Sequence, residues 1–427
     1  MIPTVLAAPN IAPYRPELTL PTDGSAFGRQ INAFFADCIN HRYNCGYLRP
    51  GSVTAEVPVA IPSKFDVIGM GRPDTGYGGD GTPGRLAWGG GVKISTTFNS
   101  NTPAISMIGT NNGNSTSGMV FSPGLFNVCV TGVCQNTKAI TSGGPTTLID
   151  IQNAYRVRMA NIWAGNDFMR VLRLSNVWDS DIWSFSSNYG GFSDPTQTSD
   201  NATVQAYTGR RFLAVETAIG RSLGVPAIDI VSPNITGADV TNNLRIYSMH
   251  LESNAHNGVP LMVTGGNGGM VQCVGCKIEA NEGCVPLIVL DGQHGFRFEG
   301  WLMGGSTGSP YVPVGGVPAG TAWSTYQMPA LVLAQGCNSP RLDVGIAHTS
   351  SGGTTPALFR FINCTDPRVD ADVSDGLTQV STARMMFDNC ADVSTAHTRC
   401  YAPAYLTSLS GANQVERNAI NGTTTNS

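Results

Sequence analysis

Short segments in which every second residue is apolar recur along the chain, and several of them begin at a proline. One of them is Val225-Pro226-Ala227-Ile228-Asp229-Ile230. Alternation of apolar and polar positions is typical of β-strands, because successive side chains of a strand point to opposite faces. The prolines of this series are Pro226, Pro260, Pro286, Pro329 and Pro356, which are 34, 26, 43 and 27 residues apart.

A second alternating segment follows each of the first ones, and its copies also align with one another. The second position of every copy is apolar, as expected of a side chain that points into a core. An earlier pair of segments, at Ile149 and Leu172, repeats after 23 residues. The copies of the second segment begin at Arg158, Asp181, Arg245, Gln272, Arg297, Arg341 and Arg368.

A repeat of 23–27 residues that holds two or three strands is typical of one coil of a parallel β-helix. Neighbouring coils pair at about 4.8 Å, so about ten coils would make a rod on the order of 50 Å long. Most of the first strands end in Asn, Asp or Gly, which tolerate the left-handed backbone angles of a corner. The sequence therefore predicts an all-β chain folded as a right-handed parallel β-helix.

The two ends of the chain depart from this pattern. Phe27, Ile31, Phe34, Phe35 and Ile39 are spaced as on one face of a helix, which would cover the open end of the first coil. Five prolines within the first 21 residues favour an extended segment. The predicted organisation is an arm over 1–22, a capping helix over 23–45, a β-helix body over 46–400 with insertions at 192–224 and 303–328, and a tail over 401–427.

Composition narrows the class of protein. Only 13% of the 427 residues are charged, against about 25% in an average protein, while 41% are hydrophobic and can bury a long core. The net charge of −4 without a basic block argues against nucleic-acid binding. No run approaches the length of a membrane span, so membrane insertion is not expected. Residues 1–15 also lack the basic and apolar regions of a secretory signal.

Cysteine usage excludes one class of fold. The chain has eleven cysteines, an odd number, unlike the dense and even frameworks of small disulfide-bonded domains. Cys273 and Cys276 form a lone C-x-x-C pair without a second pair at zinc-finger spacing. We interpret the cysteines as mostly reduced thiols that pack in a core, and the sequence predicts neither a metal site nor a cofactor.

Three short motifs near the N-terminus carry a resemblance to a known family. Together they resemble the N-terminal signature of the pectate-lyase-like superfamily, and the chain as a whole resembles bacteriophage tailspikes of that superfamily. The motifs are Asp23-Gly24 with Ala26-Phe27, Ile31 and Cys38, then Gly46-Tyr47-Leu48-Arg49-Pro50-Gly51, and then Ile68-Gly69-Met70-Gly71.

This resemblance implies a side-by-side homotrimer in the tail of a virion, synthesised in the cytoplasm of the host. Such a spike binds a bacterial surface polysaccharide (capsule or lipopolysaccharide) and often cleaves it. Residues 1–22 would attach the spike to the phage tail or to an adaptor protein. Two alternatives stay open: a free pectate-lyase-like polysaccharide lyase, and an adsorption spike that cuts nothing.

The first candidate site is a repeated segment that is rich in charge. His250 and Glu252 recur as Lys277 and Glu279 after 27 residues, which would stack each residue on its counterpart one coil away. Two carboxylates at such a spacing are what glycoside hydrolysis requires. Tyr247 and Trp183 lie in an outward column two or three positions earlier along the strands, where they could stack on a sugar ring. The alternative is a solvated ladder in which Lys277 neutralises its acidic neighbours.

The second candidate combines acids with aromatic residues. Asp179 and Asp181 are two positions apart, so on a regular strand they would share a face between Trp178 and Trp183. The alternative is an acidic turn between strands, with the tryptophans packed on a neighbouring protomer.

The third candidate is a repeated pattern of arginine, apolar residue and acid. Strand geometry would place Arg297 beside Glu299, and the two later copies, which begin at Arg341 and Arg368, would stack on them. Such regularity favours an ion-pair ladder over catalysis, and Glu299 is kept as a possible acid because it lies closest to the first candidate. In the second insertion, Trp323 and Tyr326 are candidate sugar contacts, or packing residues of the trimer.

The interpretation that joins these features is a tailspike whose polysaccharide lies along the charged face. If the face is catalytic, we expect an endoglycosidase rather than a lyase, with Glu252 and Glu279 as the carboxyl pair. The sequence leaves open whether such a pair would retain or invert the configuration of the sugar.

Overall fold

The computed structural model shows a chain of short parallel strands with one helix near its beginning. It describes residues 16–21, 25–71, 73, 75–77, 86–88, 91–97, 103–110, 117–133, 147–165, 170–188, 226–232, 241–252, 259–265, 269–279, 286–304, 330–348, 358–375, 385–394, 399–400, 407–410, 415–417 and 424–426.

The strands follow one another in coils, and nearly all of them pair in parallel with the equivalent strand of the next coil. Thr75–Tyr77 and Leu86–Trp88 instead form a separate antiparallel pair. Before the first long gap the elements are β1 Glu17–Leu18, β2 Ala26–Phe27, α1 Gly28–Asn40, β3 Cys45–Leu48, β4 Gly51–Thr54, β5 Val59–Ala60, β6 Asp66–Gly69, β7 Thr75–Tyr77, β8 Leu86–Trp88, β9 Val92–Thr97, β10 Ile105–Ile108, β11 Val120–Phe121, β12 Gly124–Val133, β13 Thr147–Tyr155, β14 Arg158–Gly165 and β15 Arg170–Asn188. After it come β16 Ile228–Val231, β17 Asn242–Tyr247, β18 His250–Glu252, β19 Leu261–Thr264, β20 Gly269–Glu279, β21 Ile288–Asp291, β22 Arg297–Gly304, β23 Val332–Gln335, β24 Arg341–His348, β25 Phe359–Ile362, β26 Arg368–Asp375, β27 Met385–Asp388, β28 Val393–Ser394, β29 Arg399–Cys400, β30 Thr407–Ser410, β31 Val415–Arg417 and β32 Thr424–Asn426.

The pairing register confirms the parallel β-helix predicted from the repeats. Ile149 pairs with Leu172, the two segments that repeat after 23 residues. The second segments also stack as aligned, since Asp181 pairs with Arg158 on one side and with Arg245 on the other. The same row continues through Gln272, Arg297, Arg341 and Arg368.

Most of the core lies inside the coils. Inward side chains stack on their counterparts one coil away, as Phe361 does on Phe387 with ring centroids 5.1 Å apart. Both of these rings are fully buried. Because each core residue is covered by the coils above and below it, most apolar burial forms one large cluster through the described body. The predicted alternation is incomplete, since all four residues of Leu261–Thr264 are buried and Met262 belongs to a second, small cluster.

The corners of the coils are occupied by the asparagines that the pattern indicated. Asn176 donates from its amide to the side-chain oxygen of Asn153 at 3.0 Å, and Asn389 does the same to Asn363 at 2.8 Å. All four residues have positive φ, the left-handed conformation that asparagine tolerates better than most residues. Each ladder therefore satisfies side-chain polar groups while it turns the chain.

The single helix of the described residues, α1, is shorter than the predicted 23–45. Its buried face includes Ile31, Phe35 and Cys38. The ring of Phe35 packs on that of Phe65, with the ring centroids 5.1 Å apart. The helix begins where Glu56 accepts a hydrogen bond from the backbone N–H of Gly28 at 2.7 Å. These contacts place the helix against the first strands, and its role as a cap remains a prediction.

Two predicted boundaries differ from the structure. Glu17–Leu18, within the predicted arm, is a strand that pairs with β3. Strand stacking also continues beyond residue 400, because Thr407–Ser410 pairs with Met385–Asp388 and Thr424–Asn426 pairs with Thr407–Ser410. Thr407–Ser410 and Thr424–Asn426 are short and rich in polar residues, so their strand character depends on the neighbouring coil rather than on their own pattern.

Other predictions about the chain meet only part of the described structure. The insertion at 192–224 lies outside the described residues, as does nearly all of 303–328. Eight cysteines whose side chains the structure describes are free thiols, and Cys273 and Cys276 are both buried. No helix in those ranges is long and apolar enough to cross a membrane.

A close approach of two strands yields a test of the fold. Gly300 has φ 155°, and a Cβ built on it would lie 1.9 Å from the carbonyl oxygen of Cys276. We expect Gly300→Ala to lower the free energy of unfolding by about 3 kcal/mol, because both backbones must shift to admit the methyl group. Gly269→Ala is the matched control, since its Cβ would have only one neighbour within 4 Å, at 3.7 Å. Equal urea midpoints for the two variants would contradict this packing.

Candidate functional site

Two outward rows of side chains cross strands β15, β18, β20 and β22. Leu251 and Ile278, which lie between the rows, are fully buried in the core, so the residues on either side of them point outward. The first, called the His250 row, contains Ser186, His250, Lys277 and Trp301, and the second, called the Glu252 row, contains Glu252, Glu279 and Met303.

The register confirms the stacking predicted for the first candidate. His250 pairs with Lys277, and Glu252 pairs with Glu279. The Nε2 atom of His250 lies 3.7 Å from Oε1 of Glu279 and 4.0 Å from Oε2 of Glu252. The ammonium group of Lys277 forms an ion pair with Oε2 of Glu279. Two bases and two acids thus meet in one cluster, called the His250 cluster below.

The carboxyl groups of Glu252 and Glu279 are close enough to act together. One oxygen of each, together with a nitrogen of His250, belongs to a set of atoms that all lie within 4.8 Å of one another. Retaining glycosidases hold their carboxyl groups about 5–5.5 Å apart, whereas inverting ones need about 6.5–9.5 Å. The limit of 4.8 Å applies to one oxygen of each residue, so it does not choose between the two arrangements.

Exposed aromatic rings flank the His250 cluster along the axis of the coils. Trp183 stacks on Tyr247 with centroids 4.0 Å apart and an interplanar angle of 20°, as their alignment suggested. On the other side Trp301 is 55% exposed, and its ring covers Gly345, where a Cβ would approach the ring to 2.8 Å. An exposed ring backed by another ring or by backbone is a flat apolar platform.

Trp301 was missed by the sequence analysis although a signal for it was present. It follows Glu299 by two positions, so the strand alternation already directs it outward. Its partner could not be read from that alternation, because the pairing shifts by one residue between Val274 and Cys276. This bulge places Trp301 opposite Lys277 instead of opposite Cys276.

The second candidate does not form a carboxylate pair. Asp179 has φ 47° and accepts a hydrogen bond from Asn243 at 2.7 Å, so it belongs to a corner rather than to a regular strand. Asp181 forms an ion pair with Arg245, with Nε and Oδ1 2.8 Å apart. The indole N–H of Trp178 donates to Asn176 at 2.8 Å. Each of these residues is held by its own structural partner.

The third candidate stacks as predicted and contains one ion pair that the pattern did not predict. Arg297 binds Glu299 at 2.9 Å, the expected contact within one strand. Arg368 binds the corner residue Asp366, which has φ 51°, at 2.9 Å. Partial burial disfavours ionisation of Asp366, yet hydrogen bonds from Arg368 and Ser339 hold its pKa below the usual value. The pair between Arg368 and Asp370 stays a prediction.

A shallow groove runs beside these stacked arginines. It is lined by Arg297, Arg341, Asp343, Arg368, Asp370 and Ser394. Positive and negative side chains alternate across it, which is the arrangement of an ion-pair ladder. The two remaining candidates, Trp323 and Tyr326, lie outside the described residues.

Comparisons with known proteins identify the fold and no family. Neither a protein-family model nor a curated protein sequence matches the chain. Among solved structures, the Streptococcus pneumoniae surface protein and adhesin PfbA is similar over 96% of both chains, with a TM-score of 0.53 and 9% identity. The chain therefore shares the overall fold of this adhesin.

Two enzymes give weaker structural matches. DFA-IIIase from Arthrobacter chlorophenolicus A6 without its lid matches over 89% of this chain and 94% of its own, with a TM-score of 0.47 and 12% identity. The A-module of the Azotobacter vinelandii mannuronan C-5 epimerase AlgE6 matches over 94% of this chain and 97% of its own, with a TM-score of 0.44 and 10% identity.

The ion pair of Asp181 yields a test of its structural role. Asp181 lies in register between Arg158 and Arg245, so its charge separates two like charges. We expect Asp181→Asn to lower the free energy of unfolding by up to about 1 kcal/mol, because Arg245 would lose its carboxylate partner while Arg158 keeps its ion pair with Asp66. Urea unfolding in low and high salt checks this, since screening shrinks the loss. A loss that is independent of salt would contradict the electrostatic cause.

Proposed function

We propose that the outward face around the His250 cluster binds an extended polysaccharide. The observation that carries this proposal is the placement of two exposed tryptophans, Trp183 and Trp301, on opposite sides of the charged cluster. Aromatic platforms bind the apolar faces of sugar rings, and charged side chains between them bind hydroxyl or acidic substituents.

The spacing of the platforms suits a chain rather than a single sugar. Trp183 lies one coil before His250, and Trp301 lies one coil after Lys277. Three coil steps of about 4.8 Å separate the two tryptophans by about 14 Å along the axis. Trp183 stands in the row of Tyr247 and Val274, three positions before the His250 row, whereas Trp301 belongs to the His250 row. A polysaccharide that contacts both tryptophans would therefore cross the coils obliquely, beside the His250 cluster.

A bacteriophage tailspike is the biological role that we assign to such a face. The resemblance of the N-terminal motifs to tailspikes supports this role, and so does an overall fold shared with a bacterial surface adhesin. In this role the chain is a homotrimer in the tail of the virion and residues 1–22 bind the tail or an adaptor protein. The spike then recognises the capsule or lipopolysaccharide of the host during adsorption.

Hydrolysis of the bound polysaccharide is the reaction that the carboxyl pair would perform. Glu279 is the nucleophile in this scheme, because its ion pair with Lys277 fixes the position of its carboxyl group. Glu252 is the acid that protonates the departing glycosidic oxygen and then activates the incoming water. Glu299, paired with Arg297, plays no part in this scheme.

An adsorption spike without catalysis is the second candidate, and one contact favours it. The ion pair between Lys277 and Glu279 is also what a solvated charge ladder would contain. Both candidates require polysaccharide binding, and only the first requires new chain ends. The cleavage test below separates the two candidates, and the binding test checks what both of them require.

If the face around the His250 cluster binds polysaccharide, the affinity depends on the aromatic platforms. We expect Trp183→Ala and Trp301→Ala each to weaken binding of host polysaccharide about tenfold, the equivalent of one lost ring contact. Ile108→Ala is the matched control, because Ile108 is 49% exposed on strand β10, which lies in another row of strands. Calorimetry on the whole chain measures this, and unchanged affinity in both tryptophan variants would refute the proposed face.

Cleavage depends on the two glutamates if the spike is an enzyme. We expect Glu252→Gln and Glu279→Gln each to reduce the release of reducing ends from host polysaccharide by about 100-fold or more. Asp179→Asn and Asp181→Asn serve as comparison variants, because both carboxylates already have structural partners. Cleavage that survives all four changes would exclude this carboxyl pair, and no cleavage of a confirmed host glycan would leave the adsorption spike.

A further inference from the structure

The His250 cluster presents three metal-ligating atoms at the surface of the coils. They are a ring nitrogen of His250 and one carboxylate oxygen each from Glu252 and Glu279, and all three lie within 4.8 Å of one another. The pairs that include Nε2 are 3.7 and 4.0 Å apart. Parallel pairing places the backbones of Glu252 and Glu279 opposite each other on adjacent coils, which brings their side chains into the same outward row.

The distances exclude hydrogen bonds but fit ligands that share an ion. A hydrogen bond from a ring nitrogen to an oxygen is about 2.7–3.2 Å long, shorter than either contact. Bonds of about 2.0–2.2 Å to one tetrahedral ion place its ligands about 3.3–3.6 Å apart. The two contacts of Nε2, at 3.7 and 4.0 Å, need to shorten by a few tenths of an ångström, and the two carboxylate oxygens are within 4.8 Å of each other.

The ring nitrogen of His250 provides an independent observation. Nε2 is shielded from solvent and has no hydrogen-bond partner within the described part of the chain. A buried polar atom without a partner is uncommon in native proteins and is often explained by an ion or an ordered water. The atom faces two carboxylate oxygens, which are themselves metal ligands.

We infer that His250, Glu252 and Glu279 bind one divalent transition-metal ion of the zinc type. An imidazole nitrogen favours zinc and its neighbours over calcium and magnesium, which prefer sites built from oxygen alone. Three protein ligands leave a fourth position for water or for a hydroxyl group of a bound molecule. This site is independent of the proposed function, since it requires no polysaccharide.

Lys277 determines how the ion and the carboxylates share the site. Its ammonium group forms an ion pair with Oε2 of Glu279, and Oε1 of the same carboxylate faces His250. The same positive charge repels an incoming cation. Removing it therefore tightens metal binding, which is the opposite of what removing a ligand does.

One ion would also change the use of the glutamates. With zinc bound, both carboxylates are ligands and are withdrawn from the hydrolysis proposed above. The zinc-free chain is then the form that cleaves, and both forms retain the aromatic platforms. Polysaccharide binding is therefore measured in the presence of a chelator, so that the two proposals fail separately.

Zinc titration of the full-length, chelator-treated chain by calorimetry tests the site. We expect one zinc ion per chain, with affinity reduced more than about tenfold in His250→Asn and in Glu279→Gln. Lys277→Gln is expected to bind zinc more tightly than the unmodified chain. His294→Asn is the matched control, because His294 is exposed in a neighbouring coil outside the cluster and should leave the affinity unchanged.

Three outcomes overturn the inference. They are no uptake of zinc by the unmodified chain, uptake that is unchanged in His250→Asn, and displacement of zinc by equimolar calcium. Thermal unfolding of each variant without metal shows whether it is folded. For folded variants, zinc should raise the unfolding temperature of the unmodified chain and of His294→Asn, but not that of His250→Asn.

Discussion

Hydrogen bonding between successive coils is the interaction on which the rest of this structure depends. Each strand donates to and accepts from the equivalent strand one coil away, at a spacing of about 4.8 Å. Each paired residue of the coils is thereby placed next to a residue that is distant in sequence, such as Asp181 next to Arg158, 23 positions earlier. Asparagine ladders at the corners, stacked phenylalanines in the core and the His250 cluster on the surface are three consequences of that one geometry.

Stacking imposes an electrostatic constraint on charged rows. Where three arginines follow one another in a row, as Arg297, Arg341 and Arg368 do, the row cannot neutralise itself. Arg297 and Arg368 therefore take carboxylates from their own coils, one from within the strand and one from the corner before it. The His250 cluster differs because bases and acids occupy adjacent rows, which leaves polar atoms of several kinds directed at one another. That arrangement suits chemistry better than a ladder does.

Much of the candidate site was predictable from the sequence, because the 27-residue repeat aligns Glu252 with Glu279, and the two residues do pair. The role of Asp179 was not, since a left-handed residue inside a strand interrupts the alternation from which its direction was inferred. Trp301 shows a second limit. A one-residue bulge in β20 changes which residue Trp301 faces, and the sequence of β22 contains no sign of that bulge in the coil before it.

The sequence by itself determined the periodic features of this protein: the parallel coils, the inward apolar positions and the turn residues at the corners. These follow from alternation and repetition, which are properties of the chain read in order. Only the tertiary structure decided the partners of individual charges, the platform under Trp301 and the meeting of His250 with two carboxylates. Those depend on side-chain direction and on register shifts between coils, where a displacement of one residue exchanges one neighbour for another.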